Sequence, residues 1–256
     1  YYSYRREAEV RNRRNTRVRQ FRLFHWCDDI IGMMMRRMMR SCERRYCSHS
    51  RYPNINLVHM HGRSMLEQLR IEESLYRAGE GHWCIVNRYA GDPVVVLGIS
   101  GKPEKLVYLE KTRKDNVPLI KRFSGGGTVI LSPGTFLVSF ICGKDGLSEG
   151  RANSPTELMN WSGEFYKTVF ERAGSSAPFN LRVQDYILGD SRKIGGNAQA
   201  LSKDRWAHHT SFLWDYDSNV MEYLRIPEKQ VTFSLSLSLS LSLVISPLIQ
   251  YKQHNT

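Results

Sequence analysis

The segment Lys121–Leu131, KRFSGGGTVIL, sets Gly125, Gly126 and Gly127 between a basic pair and an apolar run. Glycine packs nothing and loses the most backbone freedom on ordering, so three in succession need a physical reason. Backbone N–H groups with no neighbouring Cβ can close around a phosphate or a flat ligand. Arg122 supplies fixed positive charge just before them, and a plain tight bend is the alternative reading. This is not a phosphate loop ending in Gly-Lys-Ser/Thr, because Thr128 and Val129 follow, and no GxGxxG occurs. A second segment, GDSRKIGGNAQ (Gly189–Gln199), sets Lys193 ahead of Gly195-Gly196 and the amide Asn197. Two cation-plus-glycine segments in one small domain suggest one anionic ligand held between them. Lys193 would then be a compact point charge that offsets negative charge developing in a transition state. Standing alone it would read as an exposed hairpin lysine.

The elements that must position these segments have clear punctuation. In HGRSMLEQLRIEESLYRAG, Ser64 and Glu67 form a capping box and Gly79 is a stop. Met65, Leu66, Leu69, Glu73 and Tyr76 then give a mostly apolar stripe. SPTELMNWSGEFYKTVFERAG is a second helix: Ser154 caps it, Pro155 takes its first position, Glu157 closes the box and Gly174 ends it. Leu158, Trp161, Phe165, Val169 and Phe170 fall on one side. HWCIVNR and PVVVLGIS read as strands, the second continuously apolar and therefore central. VPLIKRF, GTFLVSFIC and HHTSFLWDY are further strands, and Gly189-Asp190 is a hairpin turn. Helices interspersed with strands, some in hairpins, predict a mixed, mostly antiparallel β-sheet flanked by helices, an α+β domain.

The charge of the chain lies mainly outside this region. Of the net charge of +12, residues 1–51 hold fourteen Arg, no Lys and five acids, so nine of the twelve charges sit there. This weakens the inference from a basic balance to nucleic acid, and a nucleic-acid partner is not expected. A hydrophobic fraction of 41% in 256 residues is enough to fill a core. No window approaches the ~18 continuous apolar residues of a membrane span. The five cysteines form no CxxC pair, which favours free thiols in a reducing compartment. The chain begins with Tyr1, and the Arg-, Ser- and Met-rich stretch from Met33 has the composition of a transit peptide. Residues 1–55 are therefore expected to be a disordered or transit-like extension, and the location mitochondrial, with plastid or cytoplasm as alternatives. FSLSLSLSLSLV formally resembles a strand, but a dinucleotide repeat in DNA reads the same way. Residues 230–256 are expected to be an unstructured or spurious tail, and the folded domain to span 56–229.

Three ordered motifs carry a resemblance to a known family. These are Arg122-Phe123-Ser124-Gly125-Gly126-Gly127, then Lys193-Ile194-Gly195-Gly196-Asn197-Ala198, then His209-Thr210-Ser211. Together they look like the catalytic domain of the biotin/lipoate protein ligase family, on the lipoate ligase side. The resemblance implies a fold of the class II aminoacyl-tRNA synthetase and biotin–lipoate ligase type. It implies activation of lipoate by ATP, with Mg2+ as companion of the nucleotide, to an acyl-adenylate. The acyl group would then pass to a lysine of a lipoyl carrier domain, such as the glycine cleavage H protein or a 2-oxoacid dehydrogenase E2. No permanently bound cofactor, metal site or membrane partner is implied.

The family pattern makes Lys193 the catalytic cation. It assigns Arg122, Ser124, Gly125, Gly126, Gly127, Thr128, Asp185, Gly196, Asn197, Ala198 and His209 to the acid and its adenylate. Val129, Leu137 or Phe140 could line an apolar slot for the acyl chain. Departures from the pattern are Ile99 in place of Arg, Gln184 in place of Asn, and Ser132-Pro133 in place of His-Asp.

Competing readings remain. An octanoyl or lipoyl transferase of the same family would in its common form need a cysteine after a proline; Pro227 is followed by Glu228. A transferase consuming a ready-made acyl-adenylate stays open, as does a non-catalytic relative. Biotin ligation is disfavoured, because its Arg-rich glycine motif is missing. His208 and His209 are adjacent on a strand and point to opposite faces, so they cannot easily share a metal ion.

Overall fold

The computed structural model describes residues 55–144, 154–213 and 217–225. The Arg-rich extension up to Asn54, the Ser-Leu tail, Trp214 and Pro227-Glu228 lie outside the described residues. Ten strands are described: β1 (Ile55–His61), β2 (His82–Arg88), β3 (Val94–Leu97), β4 (Leu119–Lys121), β5 (Val129–Leu131), β6 (Thr135–Gly143), β7 (Phe179–Arg182), β8 (Asp185–Leu188), β9 (Arg192–Leu201) and β10 (Arg205–Leu213). The helices are α1 (Met65–Ala78), the short α2 (Pro103–Leu106) and α3 (Leu109–Lys114), and α4 (Pro155–Arg172), with a 3-10 turn at Ser218–Tyr223.

A seven-stranded sheet runs in the order β1-β2-β6-β10-β9-β8-β7, and a three-stranded sheet in the order β4-β3-β5. In the large sheet only β1 and β2 pair in parallel; the other neighbours are antiparallel. The expected mixed, mostly antiparallel sheet is therefore present. The apolar segment Val94–Leu97 is central to the small sheet, paired on both sides and fully buried. The chain passes from the small sheet to the large one through Ser132-Pro133-Gly134. There Pro fixes the second turn position, Gly134 supplies φ +92° at the third, and the Thr135 amide donates to the Ser132 carbonyl.

Both long helices start as their sequences dictate. Ser64 and Ser154 each cap a first turn, and Glu67 and Glu157 reach back to the cap amides. Gly79 closes α1 in the left-handed conformation. Their buried faces, however, are rotated from the apolar stripes read in the sequence. In α1 the buried residues are Met65, Gln68, Leu69 and Glu72, while Leu66 is 42% exposed. In α4 they include Leu158, Met159, Ser162, Tyr166 and Phe170, with Trp161, Phe165 and Val169 only half-buried. The reason is polar. Gln68, Glu72 and Ser162 find hydrogen-bond partners on the sheet or beside it, so burying them costs little.

The two helices cover opposite faces of the large sheet. On one face Phe140 packs edge-on against Trp161 and Phe165, and Tyr166 meets Tyr186 and Phe212. Also on this side, buried His208 shares a hydrogen bond between Nε2 and the Tyr186 hydroxyl, 2.9 Å, and Tyr186 bonds Ser162 at 2.7 Å. Burial, with the neighbouring His209, pushes His208 down to about 3, and burial pushes Tyr186 up to about 12. Trp206 is fully buried, and burial pushes up the thiol of Cys84. The other face receives α1 and the small sheet, with Met65, Leu69, Val94, Val96, Leu131 and Leu137 in one cluster.

Candidate active site

The glycine triplet lies where the small sheet meets the large one, and its shape is set by Arg122. This side chain is 5% exposed, and its guanidinium donates to the carbonyls of Gly125 (Nη2, 2.9 Å) and Gly127 (Nη2, 2.6 Å). Nε donates to Gly125 at 3.2 Å and Nη1 to Val96 at 3.5 Å. A planar fork of donors suits this role, which a single ammonium could not fill. Burial lowers Arg122 to about 10, still protonated at neutral pH. The positive charge expected beside the glycines is present, but most of its donors hold the loop itself.

One glycine of the triplet, and Gly98 facing it, are explained by close approach. A Cβ on Gly126 would lie 2.9 Å from Arg122 Nη2 and 3.2 Å from Ala198 Cβ, and its φ is +97°. A Cβ on Gly98, at the end of β3, would sit 2.3 Å from the Gly126 carbonyl oxygen. The loop is tied to β9 by the Gly125 amide, which donates to Gln199, and to the small sheet by Ile99 donating to Ser124. The hydroxyls of Ser124 and Thr128 are buried and have no hydrogen-bond partner.

β9 and β10 bring the later motifs alongside. Ser139, His209 and Ala198 stand opposite one another across β6, β10 and β9, on the face that carries α1. A register shift between Tyr186 and Ile187 pairs Tyr186 with Gly195 but Ile187 with Lys193. This bulge turns Lys193 onto the same face as Asp185, and bulges are known to re-aim a side chain in this way. Lys193 Nζ lies 2.7 Å from Asp185 Oδ1, both about one-third exposed. Asn197 stands opposite Thr210, on the α4 face, and donates to the Gln184 carbonyl at 2.6 Å. Its side chain thus braces the β7–β8 turn.

A small cavity of about 50 Å³, partly open to solvent, lies between these parts. Val96, Val129 and Leu131 of the small sheet line one wall, and Met65, Gln68 and Leu69 of α1 another. Arg122, Leu137, Ser139, Gly196, Ala198 and His209 line the rest together with the predicted Asn197, Thr210 and Ser211. Val129 and Leu137 line the slot as expected, but Phe140 does not: its position on β6 is one off in parity, which puts it on the α4 face. Ser124, Gly125, Gly126, Gly127, Thr128, Asp185 and Lys193 are not among the lining residues. Lys193 is five residues along β9 from Ala198, no more than about 16 Å at ~3.3 Å per residue.

One part of the site escaped the sequence. Glu72 is fully buried; its Oε1 accepts from Gln68 Nε2 at 2.7 Å, and Gln68 Oε1 accepts from Asn87 Nδ2 at 2.8 Å. Glu72 Oε2 lies 2.9 Å from His209 Nδ1, an ion-pair contact with bent hydrogen-bond geometry. Ser139 Oγ is 3.3 Å from the same nitrogen. Burial alone would raise Glu72, yet His209, Ser139 and Gln68 together hold it below its ordinary value. Gln68 and Glu72 share the helical period of Met65 and Leu69, which was the available signal. The neighbouring Glu73, half-exposed and paired with Arg77, had been placed on that stripe instead. Among the described residues no three His, Cys, Asp or Glu side chains could hold a metal ion, and no helix is long and apolar enough to cross a membrane.

Comparison with known proteins adds three findings. The model of the lipoyl protein ligase A/B catalytic domain matches residues 64–237. The inactive lipoate–protein ligase 2 of Plasmodium falciparum is 26% identical over 220 residues, covering 65% of this chain and 56% of that protein. The chain spans about half the length of the curated relatives it matches. Among solved structures, lipoate-protein ligase A bound with ATP superposes with a TM-score of 0.58 at 22% identity, covering 78% of this chain and 83% of that one. The bi-partite lipoate protein ligase of Thermoplasma acidophilum, studied with its E2 lipoyl domain, gives 0.58 at 18%, covering 79% and 84%. At these identities the structural likeness is one of fold.

Proposed function

Because the chain belongs to the lipoyl protein ligase A/B catalytic domain family, we propose that it activates lipoate with ATP and passes the lipoyl group to a lysine of a carrier domain. The observation that carries this reading is the apolar cavity. It is flanked by the Arg122-braced glycine loop and floored by Gly196 and Ala198, where backbone can approach a ligand closely. In the first step the carboxylate attacks the α-phosphate of ATP, brought with Mg2+, and pyrophosphate leaves. In the second the acceptor amine attacks the acyl carbonyl, and AMP leaves with the bonding pair. Negative charge gathers on phosphate and carbonyl oxygens in both steps. Lys193 offsets it, and Asp185 holds the ammonium in place between turnovers. The amides of Gly126–Thr128 and the unpartnered hydroxyls of Ser124 and Thr128 are the neutral donors for the same oxygens.

A second reading is favoured by one feature: the Lys193 ammonium is committed to Asp185 and stands outside the cavity lining. It is a lipoyl transferase that accepts a ready-made lipoyl-adenylate and does not itself form one, or a relative that only binds. The test is direct. The full chain with lipoate and ATP·Mg2+ is expected to release pyrophosphate and to modify a lipoyl carrier domain, and Lys193→Ala is expected to stop both. Transfer from supplied lipoyl-AMP with no pyrophosphate release selects the transferase. A chain that binds neither lipoate nor lipoyl-AMP overturns both readings.

A further inference from the structure

The turn that leads into Asp185 is held in a conformation its own sequence disfavours. β7 and β8 pair down to Arg182 and Asp185, which leaves Val183 and Gln184 between them. Val183 sits at φ +59°, in the left-handed region, and is 89% exposed, so packing of its side chain does almost nothing to hold it there. A β-branched residue in that region is an outlier that persists only where its surroundings impose it. A hydrogen bond from a neighbouring strand supplies the tie: Asn197 Nδ2 donates to the Gln184 carbonyl at 2.6 Å. Asn197 comes from β9, the strand that also carries Lys193. Lys193 Nζ lies 2.7 Å from the carboxylate of Asp185, the residue next to Gln184. One strand therefore grips the same short segment twice, its backbone through Asn197 and its carboxylate through Lys193.

The sequence motif assigns Asn197 to the acid and its adenylate, and the residue does line the cavity, but its amide nitrogen is committed to Gln184. Without that tie the turn would relax out of the left-handed region, and the Asp185 carboxylate would move with it. The Lys193 ammonium, bonded to that carboxylate, would lose its fixed place. A misplacement of about 1 Å at a catalytic group costs on the order of a hundred-fold in rate. The apolar walls of the cavity, Val96, Val129, Leu131 and Leu137, take no part in this tie. We infer that Asn197 is a positioning residue: acting through the Gln184 carbonyl, it keeps the Val183 turn in its strained form and so sets Asp185, and with it Lys193, for the reaction.

The experiment supplies lipoyl-AMP and a lipoyl carrier domain to the full chain and measures kcat and KM of transfer. This inference rests on the proposed function, and the two fail differently. Asn197→Ala is expected to lower kcat by roughly ten-fold or more, while KM for lipoyl-AMP stays within about two-fold. Adding Val183→Asn, which takes the left-handed conformation at little cost, is expected to restore most of the lost kcat. An Asn197 that instead touched the adenylate would raise KM, and Val183→Asn would not rescue it; that pattern overturns the inference while the function stands. A lowered kcat that Val183→Asn fails to restore, or a kcat unchanged in Asn197→Ala, overturns it as well. If wild type transfers nothing from lipoyl-AMP to the carrier domain, the proposed function falls and the inference with it.

Discussion

Replacing Gly98 with alanine tests whether the glycine loop is held in place by close packing. The added Cβ would lie 2.3 Å from the Gly126 carbonyl oxygen, and the obstacle is backbone, which cannot swing aside as a side chain can. Relief requires the loop to move away from β3. That motion strains the Arg122 bonds to Gly125 and Gly127, the Gly125 bond to Gln199 and the Ile99 bond to Ser124. Overpacking of this kind costs about 1–3 kcal/mol. For a domain of this size it lowers the melting temperature by roughly 3–10 °C. Ligand affinity should suffer more than stability, because the displaced segment is bonded to Arg122 and Arg122 lines the cavity; on the proposed function, lipoate binding is expected to weaken at least ten-fold. Gly127→Ala is the matched control, since a Cβ there meets nothing within 4 Å. Thermal melts and lipoate titration of both variants decide the matter. If Gly98→Ala melts and binds like wild type, the loop is not clamped as described and the reasoning fails.

Other outcomes follow from the same structure. Arg122→Lys keeps the charge but loses the fork to the loop carbonyls. It should destabilise the fold by about 1.5–3 kcal/mol in urea unfolding and weaken acid binding. Val183 is 89% exposed and sits at φ +59°, a conformation that costs a β-branched residue roughly 1–2 kcal/mol. Val183→Asn should therefore raise stability by about 1 kcal/mol in the same assay, with no packing lost. His208 is buried neutral, its value pushed to about 3 by burial. The unfolded chain then binds the extra proton below about 6.5, so this residue's contribution to stability is complete above that pH. It is lost as pH falls toward about 3, with a slope of at most about 1.4 kcal/mol per pH unit. His208→Phe should flatten the pH dependence of the melting temperature between 4 and 6.5; an unchanged profile would remove His208 as its source.

Much of the domain was legible because its signals are local. A capping box needs only residues i and i+3, and both boxes form as written. Strict alternation sends His208 and His209 to opposite faces whatever the fold, and Gly134 after Pro133 specifies its own turn. The three spaced motifs were enough to indicate the family and to nominate the glycine loop, Lys193 and His209. What the sequence could not contain is which partner each face would find. Whether Gln68 and Glu72 point to water or to the sheet depends on Asn87 and on His209, 137 positions from Glu72 along the chain, and a polar pair on a helix has no period that reveals its partners. Phe140 went to the α4 face because register fixes parity across strands distant in the chain. Lys193 faces Asp185 because of a single bulge, and a bulge is a property of two paired strands, absent from either one alone.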